Sequence, residues 1–425
     1  MTRTLLAALL LGLVGCSVPP PLEGDAPSTE PASARAPSSL RVVDDLVRTV
    51  QLYESSQEVS LPVVTLGSPQ TLTLAFDRLT ESPGAVQVSF RHLDLGGPSN
   101  LLPTEYLSGF ERDDILGYQT SGATAVPYVH YEYTFPNARV GFRLSGNYEL
   151  TVTDSGTGAE LFSAPFYVVE QSAEVQLAFG TTLLDGAVGN AIQPAARLSP
   201  GARLADYDAF QYTVCFARNG RLDDVRCAPE PRLIDLAQFQ FYLPRTEAFR
   251  PAPPLYEVDL GGLTTSTEVV DVDRSARPPT ALLDLDYAAF GGEVRDAVLA
   301  TTPLIDGAFV DPGAAETDAE YVEVGFRYVP PDERRLSGPV HVVGTFSGWK
   351  PMPGSELTWN PEGKRYEGTL LLKQGLYVYE YVIPRLAAAN VLAIGQPNLF
   401  TAFVYLRDPQ LFADRLVAVQ SGIAR

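Results

Sequence analysis

Apolar and polar residues alternate in short runs along most of this chain, and the runs stop at clusters of Gly, Pro, Asn and Asp. In TLTLAF, Leu72, Leu74 and Phe76 fall on one side of an extended backbone, and the same period of two recurs in VQVSFRHLDL, YVHYEYTF, NYELTV and FYVVE. The signals SPG, LGGPSN and SGN separate these runs, so residues 41–170 are predicted to fold as an antiparallel β-sandwich. In YVHYEYTF, Tyr131 shares a side with Val129 and Tyr133 and belongs to the core, whereas Tyr128 and His130 point the other way.

Residues 171–315 continue with EVQLAFG, FQYTVCFA, FQFYLP, LYEVDLGGL and ALLDLDYAAF, broken by Pro229, Pro231, Pro251, Pro253, Pro254, Pro278 and Pro279. Proline cannot donate to a sheet ladder, so these positions belong to edges or loops of a second β domain. DGAFVDPGAAETD, 306–318, reads as an exposed linker. Residues 316–425 are expected to form a third domain: Val322, Val324, Phe326 and Tyr328 alternate inward, and TWNPEGKRYEGTLLLKQGLYVYEYVI gives a hairpin around NPEG. A Gly-x-Tyr lead-in to a strand occurs at Gly146/Tyr148 and again at Gly375/Tyr377, resembling the tyrosine corner of immunoglobulin-like folds. The fold class expected is all-β, with several immunoglobulin-like β-sandwich domains in tandem.

The first residues differ in kind. Arg3, the apolar run Leu5–Val14 and Gly15 before Cys16 have the layout of a secretory signal, and LVGC resembles a bacterial lipobox in which Cys16 is acylated and becomes the first mature residue. No Asp follows Cys16, so the expectation is a signal peptide over 1–16 and anchoring in the outer membrane, facing the periplasm. Residues 17–40, rich in Pro, Ala and Ser, have too little apolar content to pack and are expected to be a disordered tether. Past the signal, no apolar run reaches the roughly 18–20 residues of a membrane-spanning helix.

In an oxidising compartment Cys215, within QYTVCFARNG, and Cys227, after NGRLDD, are expected to form a disulfide; two separate thiols are the alternative. No C-x-x-C or neighbouring His completes a metal site. The net charge is −20 and no Lys/Arg cluster offers a phosphate backbone a basic face, which argues against nucleic acid.

Signs of catalysis are missing from the sequence. His92, His130 and His341 lie far apart, and there is no G-x-S-x-G, H-E-x-x-H, Walker A or G-x-G-x-x-G motif before a helix. The Asp113–Asp114 pair is one of many carboxylate pairs expected by chance among 51 acids, and it reads as a solvated turn. No enzyme activity, cofactor, small-molecule substrate or metal is expected.

EYLSGF, YVHYEYTFPN and LSGNYELTV follow one another in fixed order between Glu105 and Val152, with VQLYESSQEVSLPVVTLGSPQTLTLAFD upstream and LLKQGLYVYEYV near the end. Together they resemble the plug protein of the type IX secretion system. The resemblance implies a protein that binds and occludes the periplasmic opening of a large outer-membrane translocon barrel when no secreted protein is passing. Within its phrases Tyr106, Phe110, Tyr128 and His130 are the candidate partner contacts. A second resemblance competes with it: VHVVGTFSGWKPMP followed by RYEGTLLLKQGLYVYEYV is similar to glycogen-binding modules, which would make Trp349 and Trp359 a sugar platform on a carbohydrate-binding lipoprotein. PRLAAANVLA, which follows, lacks the further aromatic such modules usually carry.

Overall fold

The computed structural model describes residues 39–183, 191–233, 238–250, 255–288, 316–383 and 398–424. Strands dominate throughout, because the period-two runs bury one face each, as in Val86–Asp94 and Val129–Phe135. No helix among these residues is long and apolar enough to cross a membrane. Cys16 and residues 17–38 lie outside the described residues.

A first core lies between two sheets. One runs in the order Arg41–Val42, Glu160–Val169, Gly146–Asp154, Val86–Asp94; the other in the order Val47–Glu54, Leu72–Arg78, Val129–Phe135, Gly117–Thr120. Leu72, Leu74, Phe76, Tyr131, Phe135 and Phe166 are buried between them, in line with the alternation in the sequence. The Tyr148 hydroxyl donates to the Leu144 carbonyl at 2.7 Å, and Tyr377 repeats the arrangement with the Lys373 carbonyl at 2.6 Å. Gly146, at φ +150°, precedes the first of these tyrosines; a Cβ there would come 2.2 Å from His92 Nε2, so no larger residue fits.

A second core joins the sheet Ala173–Thr182, Ala191–Pro200, Phe239–Tyr242, Pro231–Leu233 to the sheet Val225–Ala228, Tyr212–Arg218, Asn398–Asp408, Ala413–Ala424. The third core is wrapped by eight strands, from Tyr256–Asp259 through Leu376–Val382, Val340–Gly344, Glu356–Asn360, Arg365–Lys373, Tyr321–Val329 and Thr280–Tyr287 to Val269–Asp273. The hairpin expected around NPEG joins Glu356–Asn360 to Arg365–Lys373.

Strand pairing divides the chain differently from the boundaries expected at 315 and 425. Tyr256–Asp259, Val269–Asp273 and Thr280–Tyr287, assigned by sequence order to the middle domain, pair within the third core. Asn398–Asp408 pairs with Tyr212–Arg218 and so completes the second. The third core is thus inserted into the second rather than following it. Alternation tells which face of a strand is buried but carries no information about which distant strand lies beside it, and the last strands were read with their neighbours in sequence for that reason.

Candidate functional site

The described residues all belong to one compact unit, and its three cores are joined by buried contacts. First and second meet in an apolar cluster of Leu95, Tyr167 and Val169 with Cys215, Phe403, Tyr405 and Leu416. Around it the Tyr405 hydroxyl donates to Asn147 Oδ1 at 2.7 Å, and Arg415 grips Glu170 through two parallel bonds of 2.8 Å. That two-pronged geometry is the strong form of a charge-assisted hydrogen bond. Cys215 and Cys227 oppose each other on neighbouring strands and are joined as a disulfide beside the cluster.

The hairpin closed by this disulfide reaches the third core through Arg221, whose guanidinium donates to Glu380 at 2.7 Å and lies 4.4 Å from the centre of the Trp349 ring. Trp349 is itself buried, packed with Leu255 and Val378. A ring covered in this way presents no flat face to a sugar. Trp359 packs on Tyr366 at the margin of the third core, 5.0 Å between ring centres. The structure therefore brings the two tryptophans to different environments and assembles no platform from them.

First and third cores meet through two pairs of directly opposed residues. Asp77 and His130 face each other across neighbouring strands of the first core, and Tyr321 and Lys373 across neighbouring strands of the third. Docked together, they surround one carboxylate: His130 Nδ1 lies 2.8 Å from Asp77 Oδ1, while the Tyr321 hydroxyl and the Lys373 ammonium each lie 2.8 Å from Oδ2. The Lys373–Asp77 approach meets ion-pair distance without hydrogen-bond geometry, so charge attraction rather than a directed bond carries it. The ammonium also sits 4.6 Å from the centre of the Tyr128 ring. Tyr128 closes the junction by donating to the Ala319 carbonyl at 3.0 Å.

Three of the four candidate partner contacts are accordingly not at the surface. Tyr106 packs under the Tyr148 ring, and Tyr128 and His130, though on the outward side of their strand as expected, are covered by the third core. The alternation was read correctly; what faced that side was another part of the same chain. Phe110 remains exposed, at 57%, with the Arg139 guanidinium 5.0 Å from its ring centre. Leu116 and Tyr118, exposed at 81% and 51%, stand on the same stretch, where Gly117–Thr120 forms the edge of its sheet.

Asp77, Lys373, Tyr321 and Arg221 were missed by sequence reasoning. A signal existed for one of them: Lys373 is one of only three lysines and interrupts the apolar run LLLKQGL, where a solvated cation is out of place.

Residues 47–170, the span of the first core, match the type 9 secretion system plug protein 1st domain. The first core is thus a domain of the type IX secretion plug family. The match ends at Glu170, and the fold of the remainder has a parallel elsewhere. A crystal structure of a hypothetical protein from Parabacteroides merdae shares 21% sequence identity, covers 92% of this chain and 100% of its own, and superposes with a TM-score of 0.75. This chain and that protein therefore have the same fold. The C-terminal domain of the Streptococcus pyogenes antigen I/II-family protein AspA, at 10% identity over 89% of this chain and 99% of its own, reaches a TM-score of only 0.17 and carries no argument. A comparison with curated proteins finds no match. The plug domain ties the chain to type IX secretion in the cell envelope.

Proposed function

We propose that this protein is a non-enzymatic gate that binds the periplasmic opening of the type IX translocon barrel in the outer membrane and occludes it between secretion events. The observation that carries the reading is the plug-domain match over 47–170. The buried junctions support it physically, since an obstruction works only if its parts do not separate under load. No bond chemistry is required: the closed state persists while its contact free energy exceeds that of the vacated opening, and a secreted substrate shifts the balance by competing for the mouth or by favouring a barrel conformation that binds the gate less well.

Acylated Cys16 holds the gate in the same membrane as the barrel. Its tether, 17–40, spans roughly 30 Å as a coil and at most ~80 Å extended, which raises the local concentration so that a moderate interface stays occupied. Cys16→Ala, at matched protein levels in the envelope, is expected to reduce co-purification with the barrel while leaving Tm unchanged. Unaltered co-purification rejects the role of the tether.

Among exposed large side chains of the plug domain, Phe110, Leu116 and Tyr118 are the ones assigned to the barrel contact, because aromatic and aliphatic anchors at a sheet edge concentrate binding energy. The triple change Phe110→Ser, Leu116→Ser, Tyr118→Ser is expected to weaken barrel association at least about tenfold with Tm held. Retention of full association moves the contact elsewhere. The whole reading is tested by affinity purification from membranes: recovery of a large outer-membrane barrel supports it, and its absence under conditions that preserve other envelope complexes sinks it.

A further inference from the structure

A cleft of about 1200 Å³ opens between the first and third cores. One wall includes 47–50 with Asp45, the opposite wall includes 345–347 and 350–353, and 371–373 lie between them. Both walls carry backbone that a side chain disfavours. A bulge interrupts the pairing of Val47–Glu54 with its neighbour between Arg48 and Gln51, and Thr49 within it sits at φ +52°. Across the cleft the chain enters Lys350 from Trp349 at φ +59°. Left-handed torsions at a β-branched and an aromatic residue are unusual, and bulges of this kind re-aim neighbouring side chains.

The chain neighbours of these two residues, Arg48 and Lys350, both line the cleft. Arg48 Nη1 donates only to the backbone carbonyls of Asp45 and Val47, at 2.5 and 2.8 Å, and Lys350 Nζ donates to the Ser39 hydroxyl. Among the described residues neither has a carboxylate at ion-pair distance. The lining acids, by contrast, are taken: Asp94 by Arg407, Glu149 by Arg91, Asp223 by Arg221. Asp45 is left, one carboxylate against two cations, in a chain whose net charge is −20. The rim is formed by Arg41–Val42, the edge strand of its sheet, whose outer side pairs with no further strand among the described residues.

We infer that this cleft binds an extended acidic peptide segment, its carboxylates meeting Arg48 and Lys350 and its backbone running along the Arg41–Val42 edge. The volume exceeds the ~300–1,000 Å³ of ordinary small-molecule pockets, which favours a length of polymer. A free sheet edge recognises a peptide backbone and has nothing to offer a lipid headgroup. The two cations supply charge-assisted bonds. This site does not depend on the gating role: it lies on other residues and is read out separately.

The probe is a fluorescein-labelled decapeptide of alternating Glu and Val, titrated by anisotropy into the full-length protein in detergent beside the same peptide with Lys in place of Glu. The Glu peptide is expected to bind and the Lys peptide to bind at least tenfold more weakly, with binding of the Glu peptide lost tenfold or more in Arg48→Ala/Lys350→Ala. Lys364→Ala, which removes an ammonium paired to Glu333, leaves binding unchanged. Should the double variant melt at lower temperature than the parent, Lys350→Glu alone, at an exposed position, serves in its place and is expected to abolish binding. Equal binding of the two peptides, undiminished binding in the Arg48/Lys350 variants, or binding only to phosphatidylglycerol vesicles overturns the assignment.

Discussion

Lys373→Met is expected to cost about 3–5 kcal/mol in urea unfolding, and Asp77→Leu about as much. Both side chains are almost wholly removed from water, at 0% and 1% exposure, so removing either strands its partner's charge where solvent cannot reach it. Stranding is the expensive step; removing both charges together is far cheaper. The double variant Asp77→Leu/Lys373→Met is therefore expected to recover at least about 2 kcal/mol relative to the sum of the single losses, a coupling well beyond that of independent sites. His130 and Tyr321 lose the Asp77 carboxylate they bond in the double variant, which keeps its recovery incomplete. Hydrogen exchange gives a second readout, because the cluster joins first and third cores: amides near Ala319 and Tyr321 should lose protection in the single variants before the interior of the plug domain does. A loss in the double variant equal to the sum of the two single losses would show that Asp77 and Lys373 do not act as a unit.

The plug domain was legible in the sequence to a degree that the rest was not, and the difference has a physical cause. Within 41–170 the alternation places Phe76, Tyr131 and Phe166 inside, and some pairing strands, such as Gly146–Asp154 and Glu160–Val169, are also neighbours in sequence. The two tyrosines that follow glycine were legible for a related reason, since Tyr148 bonds a carbonyl only four residues back. Asn398–Asp408 is the opposite case: its partner strand lies nearly two hundred residues earlier, with the third core between them, and no local pattern records that. The junctions between cores suffer from the same limit. Tyr128 and His130 look like surface residues to any argument confined to their own strand, and only the approach of Tyr321 and Lys373 from the third core makes them interior. The competing resemblance offered Trp349 as a sugar-stacking ring, yet the Arg221 that covers it comes from a hairpin more than a hundred residues away. Local periodicity thus yields faces, and tertiary contacts decide whether a face is surface.

Asp286→Asn is expected to stabilise the protein at neutral pH and to make little difference near pH 4. Burial pushes the Asp286 carboxyl up to about 6 from an ordinary value of 3.8, against the hydrogen bonds from Tyr381 and Tyr379 that pull it down, with the nearby Asp284 charge adding to the rise. Both hydroxyls donate to the same oxygen, at 2.6 and 2.9 Å, at the margin of the third core. A folded state that holds its proton more tightly than the unfolded chain is favoured at low pH. Below about pH 3.8 both forms are protonated and the residue carries no penalty; between there and pH 6 the unfolded chain ionises first, and stability drains away as pH rises. Above pH 6 the full cost remains, on the order of 3 kcal/mol. Other carboxylates in this acidic chain titrate over the same range, so the quantity to follow is the difference between variant and parent. That difference should grow from near zero at pH 4 to about 2–3 kcal/mol at pH 7, while the amide oxygen of Asn continues to accept from the tyrosines. A constant difference across the range would mean that Asp286 ionises in the folded protein as readily as in the unfolded chain, and that its hydrogen bonds offset its burial.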